Sequence, residues 1–203
     1  PSLFPNVTEA NSAVEREALE QRYQAALNRV NPALTPVLQS FETAVANRSQ
    51  AVLTRFATEA FRLATGGEEL YASFYKLVQA GARVPFDSFW DRIRGVADEK
   101  LFSYYKEQIR FAALSLTQRG LNHYGDCFIV LKDNMIAHRA TVFEENSVVF
   151  MRRHNVSVTG DTPAGYRGLW QERGKLAIAK LASEVSPRTG EAELPALLLC
   201  EVA

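Results

Sequence analysis

The sequence is poor in the residues from which metal and redox centres are built. Its 203 residues include two cysteines and three histidines. It holds no His-Glu-x-x-His motif and no two cysteines spaced as a zinc pair, so we expect no metal site. Cys127 and Cys200 each lie in an apolar run, where a free thiol packs as a small hydrophobic group. Buried, unpaired thiols favour a reducing compartment, such as the cytoplasm.

An excess of charge and a long apolar run are also missing. The 23 basic side chains balance the 23 acidic ones, whereas nucleic-acid binders usually carry a basic excess. No apolar run approaches the ~20 residues that span a bilayer, and the N-terminal residues 1–11 do not have the pattern of a signal peptide. We therefore expect no nucleic-acid partner and no membrane span. Export without a classical signal peptide stays open. A G-x-G-x-x-G motif and a Walker loop are absent too, which disfavours the standard phosphate-binding loops.

The first 120 residues are rich in helix formers and carry apolar residues at helical spacing. Asn31-Pro32 ends the first helical pattern, and Thr35-Pro36 has the form of a helix start. Ser49 is a candidate cap for a further helix that ends at Gly66-Gly67. Helices are predicted over residues 7–30, from 35 onward, and over 49–65, 68–80 and 98–119.

After Gly120 the pattern changes to short runs of β-branched and aromatic residues, which are typical of strands. Strands are predicted over residues 127–131, 139–143, 147–151, 155–158 and 194–202, with a helix over 166–185 and a loop over 160–165. The predicted class is α+β, with an N-terminal helical bundle followed by a small mixed sheet with one covering helix. Residues 1–120 and 121–203 form either two regions or one continuous domain.

Several polar segments next to the predicted strands are candidates for chemistry. The run from His123 to Asp126 joins a helix to a strand, a common place for binding groups. His138-Arg139 and the run Glu144–Ser147 flank the next strands, where charged side chains are usually solvated. Residues 152–180 form a modest basic stretch that suits a phosphate-bearing ligand, and the competing interpretation is a solvated helix face.

The segment from Tyr124 to Ser147 has a recognisable order: Tyr-Gly, an apolar strand, a polar linker, Arg139-Ala140-Thr141, then a polar pair and Ser147. This order resembles uncharacterised bacterial toxin or effector domains related to ADP-ribosyltransferases. In those domains Gly-Asp stands where this chain has Glu145-Asn146. The late apolar run around Glu201 is similar to their Glu-bearing strand.

The resemblance implies an NAD-dependent transfer to a macromolecular target. Arg139 would contact the phosphates or ribose of NAD, with His123, Tyr124 and Thr141 also in the cofactor site, and Ser147 would order that site by hydrogen bonding. Glu145 or Glu201 would supply the carboxylate that stabilises the cationic transition state.

A second hypothesis is a protein-interaction module without enzymatic activity, built on the helical bundle and bound to a protein partner. The two hypotheses differ in where Glu201 lies. A cleft shared with Arg139 and Ser147 favours the enzyme, and a solvated edge favours the interaction module.

Overall fold

The N-terminal helices begin and end where the sequence predicts. In the computed structural model, which describes residues 4–66, 73–79, 81, 89–157 and 160–202, the first helical stretch is divided at Asn11-Ser12. The hydroxyl oxygen of Ser12 accepts a hydrogen bond from the backbone N–H of Glu15, which caps the second helix. That helix ends before Asn31-Pro32, and Pro36 lies in the first turn of the next one. The predictions of helices over 7–30 and from 35 onward are confirmed.

The helices and strands follow one another along the chain without a repeat. The helices are α1 (Pro5–Ala10), α2 (Ala13–Arg29), α3 (Thr35–Arg48), α4 (Ala57–Thr65), α5 (Phe74–Gln79), α6 (Phe89–Phe102), α7 (Asp133–Ile136), α8 (Ser147–Arg153), α9 (Arg173–Leu181) and α10 (Leu194–Val202). The strands are β1 (Gln50–Arg55), β2 (Ala113–Ser115), β3 (Cys127–Val130), β4 (Thr141–Phe143) and β5 (Arg167–Leu169). The predicted helix over 68–80 contains α5, and residues 67–72 and 80 lie outside the described residues.

The prediction of one helix over 49–65 is wrong in its first half, because residues 50–55 form the central strand of a sheet. The antiparallel strand order is β2-β1-β3, with Val52 opposite Ala113 on one side and Val130 on the other. Residues 51–54 are all buried, and the β-branched Val52 and Thr54 suit such a position. The Ser49 hydroxyl donates to the carbonyl of Val45 within α3 and does not cap a new helix.

The long helix predicted over 98–119 is also wrong. α6 ends at Phe102, and Ser103 adopts a positive φ of 43° that turns the chain. Residues 113–115 then form β2, which takes the free side of β1. Backbone hydrogen bonding to β1 thus makes residues 113–115 a strand, although the composition of the segment suits a helix.

The second sheet has two antiparallel strands, β4 and β5, with Val142 opposite Gly168. The predictions of strands over 127–131 and 139–143 are confirmed by β3 and β4. The strand predicted over 147–151 is wrong, because Asn146 caps a helix there and its side-chain oxygen accepts from the N–H of Val148 at 3.0 Å.

Three further predictions in the C-terminal half are corrected. Residues 155–157 form no strand, and Val158 lies outside the described residues. The helix predicted from Tyr166 begins at Arg173, because residues 167–169 pair with β4. The last apolar run is the helix α10, with Pro195 in its first turn, and not a strand. A continuous apolar run has no period that distinguishes a helix from a strand.

The main core is formed by two sets of contacts. Helix α9 packs against α2 and α3, and helix α10 packs against β2. The most deeply buried members of the core are at most 2% exposed: Leu19, Leu38, Phe41, Ala44, Val45, Ile178, Leu181, Leu194 and Leu198. A smaller cluster joins α6 to α8 around Phe102 and Phe150. The α+β class is confirmed, and the three-stranded sheet joins strands from before and after Gly120. Within the described ranges, no helix has the length and apolar character needed to cross a bilayer.

Candidate functional site

Arg139 and Thr141, two of the residues that the resemblance assigns to NAD, lie together at the start of β4. Nδ2 of Asn6 donates to the backbone carbonyl of Arg139 at 2.8 Å and approaches Oγ1 of Thr141 at 3.3 Å. The side chain of Arg139 is exposed, and that of Thr141 is half-buried. An asparagine from α1 thus fixes this end of the two-stranded sheet, and the Arg139 side chain faces solvent beside it.

Ser147 lies in a different environment. It is the first residue of α8 and is 5% exposed. Its hydroxyl donates to Oδ1 of Asp98 at 2.7 Å, so the hydrogen bond that the resemblance assigns to site ordering is made to a carboxylate of α6.

Three of the four remaining predicted residues, His123, Tyr124 and Glu201, lie in two other elements. His123 and Tyr124 are in a short 3-10 turn before β3. Tyr124 is 40% exposed, and the side chain of His123 lies outside the part of the structure that is described. Glu201 is in α10, and its side chain is likewise outside the described part. The predicted placement of Glu201 on a strand is wrong.

Glu144 and Glu145 end β4 and lie inside the protein, at 4% and 6% exposed. The expectation that charges at this strand end are solvated is therefore wrong for this pair. Nη1 of Arg22 lies 2.7 Å from Oε2 of Glu144. The same nitrogen donates to the carbonyl of Gly165 at 2.6 Å, so Arg22 connects Glu144 to the residues just before β5. Burial raises the pKa of Glu144, and Arg22 opposes that effect.

Glu145 is paired through one oxygen only. Its Oε2 lies 3.0 Å from Nη1 of Arg153 and 3.7 Å from Nζ of Lys180. Lys180 also donates to the backbone carbonyl of Glu144 at 2.9 Å. The Lys180 side chain is 4% exposed, so its charge is held in the interior between the two glutamates. Oε1 of Glu145 is buried and has no hydrogen-bond partner.

His154 follows α8 and completes this group. Its ring lies 4.6 Å from the ring of Phe150 and 4.4 Å from that of Tyr166, measured between centroids. Its Nε2 is buried and has no hydrogen-bond partner. One ligand atom each of Glu144, Glu145 and His154 lies within 4.8 Å of the others. Burial lowers the pKa of His154, with Arg22 and Arg153 adding to the effect and Glu145 opposing it. These three residues are called the Glu–Glu–His cluster below.

Sequence reasoning found Glu145 but missed the residues around it. Arg22 comes from α2 and Lys180 from α9, far from residue 145 in the chain. One signal was present: Lys180 lies on the same side of its helix as Leu176 and Ala177, which are buried. A lysine within such a buried stripe requires a buried partner.

The second feature is an exposed aromatic face at the end of β1. Phe56 and Phe61 are 59% and 69% exposed, and α4 contains no fully buried residue. Gly125 packs against this point so closely that a Cβ there would lie 2.6 Å from the backbone nitrogen of Phe56. Tyr124 is therefore a neighbour of Phe56. Phe56, Phe61 and Tyr124 are called the aromatic face below.

Two cavities of the described residues lie apart from the residues assigned to NAD. An open depression of about 390 Å³ follows α3, and the side chains that line it are mostly polar. A much smaller space, about 10 Å³, lies beside Glu144 and Lys180. None of the residues assigned to NAD lines either of them.

Comparison with known proteins adds no family to this description. No protein-family model matches the chain, and no curated protein or solved structure matches it significantly.

Proposed function

We propose that this chain is a protein-interaction module that binds a partner protein through the aromatic face. The observation that carries the proposal is that α4 contains no fully buried residue while Phe56 and Phe61 expose more than half of their surface. Aromatic side chains are enriched at the centres of protein interfaces, where a few of them supply most of the binding energy.

The sequence of α4 supports a helix built to be covered on one side. Its apolar residues follow one arc of the helix: Ala57, Ala60, Phe61, Leu63 and Ala64. Of these, Ala60 and Leu63 are half-buried and the other three are exposed. A nine-residue helix is marginal on its own in water, so a partner that covers the exposed part of the arc would also stabilise the helix.

The charges around the aromatic face favour a protein partner over an anionic surface. Arg55 pairs with Glu59 at 3.8 Å across the first turn of α4, so the two charges offset each other. Nucleic acids and anionic membranes select an excess of basic side chains, and the whole chain has a formal charge of zero. We therefore infer that the partner presents an aliphatic groove with a rim of mixed charge.

The NAD-dependent transferase stays a second candidate, and one observation favours it. Asn6 holds Arg139 and Thr141 side by side, with the Arg139 side chain exposed to solvent. A guanidinium in that position could bind the pyrophosphate of NAD. Calorimetry with NAD tests this candidate separately from the first. Saturable binding that Arg139→Ala weakens about tenfold or more, the loss of one charge-assisted contact, supports it. No heat with NAD removes it.

The interaction proposal is tested in two steps. A photo-crosslinking amino acid at position 61, and in a second sample at position 14, identifies partners captured only through the aromatic face. Val14 is the matched control because it is also 69% exposed and lies on α2. The purified partner is then titrated with the chain by calorimetry.

Phe61→Ala is expected to weaken that purified complex by about 30-fold or more, the range of an interface hot spot, whereas Val14→Ala leaves it unchanged. Equal binding by both variants would overturn the proposal. So would sedimentation showing that the aromatic face pairs with a second copy of the chain.

A further inference from the structure

We propose that the Glu–Glu–His cluster is a binding site for one divalent transition-metal ion. The inference does not depend on the proposed function, because the cluster lies at the end of β4 and α8 and the aromatic face lies at the end of β1.

Two atoms of the cluster are buried acceptors without a hydrogen-bond partner, Oε1 of Glu145 and Nε2 of His154. Oε2 of Glu144 is buried too, and it lies 2.7 Å from Nη1 of Arg22 in the ion pair described above. Buried polar atoms in native proteins are nearly always satisfied, and each exception calls for an explanation such as a bound ion. Two such exceptions, in a group of three residues that each offer one ligand atom within 4.8 Å of the others, point to a single shared occupant.

Glu145 has the geometry of a ligand held by its surroundings. Its Oε2 is occupied by Arg153 and Lys180, which leaves Oε1 as the oxygen available to an ion. The side chain is 3% exposed, so water does not freely satisfy that oxygen. Carboxylate ligands of metals are commonly oriented in this way, by a second group bound to the other oxygen.

The ring of His154 is oriented as well. It is fixed between Phe150 and Tyr166, and its Nε2 is buried without a hydrogen-bond partner.

The ligand set selects the class of ion. One imidazole nitrogen with two carboxylate oxygens suits zinc and its first-row neighbours, whereas calcium and magnesium prefer oxygen ligands alone. Ligand atoms around a tetrahedral zinc lie about 3.3 Å apart, so the three atoms need to approach by at most about 1.5 Å. Three protein ligands leave one tetrahedral position for a further small ligand.

Three cations near the cluster oppose a divalent ion, and their exposure limits that opposition. The side chains of Arg153 and Arg22 are 48% and 23% exposed, so solvent and salt screen their charges. Lys180 is the one buried cation of the three, and it lies on the Oε2 side of Glu145. We therefore expect the site to bind the ion more weakly than a site whose carboxylates have no cationic neighbours.

The test uses the chain after dialysis against a chelator. Zn²⁺ is titrated by calorimetry, Co²⁺ is followed by its visible absorption, and Mg²⁺ is the comparison ion. We expect one Zn²⁺ per chain, a rise in the unfolding temperature with Zn²⁺ and not with Mg²⁺, and a Co²⁺ spectrum of nitrogen and oxygen ligands without thiolate bands.

His154→Gln and Glu145→Gln are each expected to weaken Zn²⁺ binding by about tenfold or more. His138→Gln and Glu193→Gln, which change exposed residues, are the matched controls and should bind as the parent does. Far-UV circular dichroism checks that each variant is folded, and His154→Gln alone decides the outcome if Glu145→Gln does not fold. Absence of saturable Zn²⁺ binding, or equal binding by His154→Gln, would overturn the proposal and leave a buried water as the occupant.

Discussion

The hydroxyl of Ser147 and the carboxylate of Asp98, 49 residues apart in the chain, form a hydrogen bond of 2.7 Å inside the protein. Asp98 is completely buried. Its other oxygen accepts from the hydroxyl of Tyr75 at 2.8 Å and from Nε of Arg94 at 3.3 Å. A buried carboxylate is stable only where such donors replace water. The start of α8 is therefore hydrogen-bonded to α6 through Ser147, in addition to the apolar cluster around Phe102 and Phe150.

Ser147→Ala should lower the free energy of unfolding by about 1.5–3 kcal/mol, the value of a hydrogen bond to a charged group. The measurement is urea denaturation followed by circular dichroism. Ser40→Ala, at an exposed position of α3, is the control and should be neutral. A loss for Ser147→Ala no larger than the control's would show that the bond contributes nothing.

Lys180→Met should destabilise the chain by about 1–3 kcal/mol, because a buried carbonyl loses its donor and the carboxylate of Glu145 keeps only Arg153 as a cationic partner. The affected groups are the carboxylate of Glu145 and the backbone carbonyl of Glu144. Denaturant titration measures the effect, with Lys132→Met at an exposed position as the control.

Combining Lys180→Met with Glu145→Gln tests the cause. The double variant should be more stable than the sum of the two single losses predicts, because each single change already breaks the pairing of Lys180 with Glu145. Strict additivity would mean that Lys180 and Glu145 do not interact.

Gly125→Ala should cost more than about 1 kcal/mol, since an alanine there is both strained and obstructed. Gly125 has a φ of 135°, and a Cβ would lie 2.3 Å from the carbonyl carbon of Arg55. Thermal unfolding gives the readout. Gly190→Ala is the control, because a Cβ there has nothing within 4 Å. The control should be neutral or slightly stabilising, and equal behaviour of the two variants would contradict the packing of Gly125 on β1.

Acid should destabilise the chain through His154. Its pKa lies below the ordinary value in the folded state, chiefly because of burial. Between that lowered pKa and the unfolded value of about 6.5, the unfolded chain binds a proton that the native chain does not. The contribution of His154 to the free energy of unfolding therefore rises with pH between those two pKa values and is constant at higher pH.

The measurement is urea denaturation of the parent and His154→Gln from about pH 5 to pH 8, in the presence of a chelator. As the pH falls below about 6.5, the parent should lose stability relative to the variant. The variant His138→Gln, at an exposed position, should keep the parent's slope. Parallel curves for the parent and His154→Gln would contradict the prediction.

Local sequence signals determined those elements whose ends are marked by capping or breaking residues. Asn31-Pro32 and Thr35-Pro36 marked the boundary between α2 and α3, and the β-branched run after Cys127 marked β3. These signals act over a few residues, through backbone sterics and side-chain packing, and here no distant contact overrode them. The α+β class followed from the change in apolar pattern near Gly120.

The tertiary structure alone decided the state of the short apolar runs. Residues 50–55 and 113–115 became strands because each completes the backbone hydrogen bonds of the other, whereas 147–151 and 194–202 became helices. An apolar run of this length is compatible with both states. The choice between helix and strand depends on which partner accepts and donates the backbone hydrogen bonds of the run. For the two strands, that partner is distant in the sequence.

For the candidate site, too, the sequence determined one part and the tertiary structure decided the other. The sequence by itself marked Glu145 as a carboxylate next to a strand. Whether that carboxylate is solvated or buried was decided by Arg153, Lys180 and His154, which α8 and α9 bring to the end of β4. A buried charge is stable only if partners replace its water. Those partners come from separate elements, so only the packing of the helices against the sheet could assemble them.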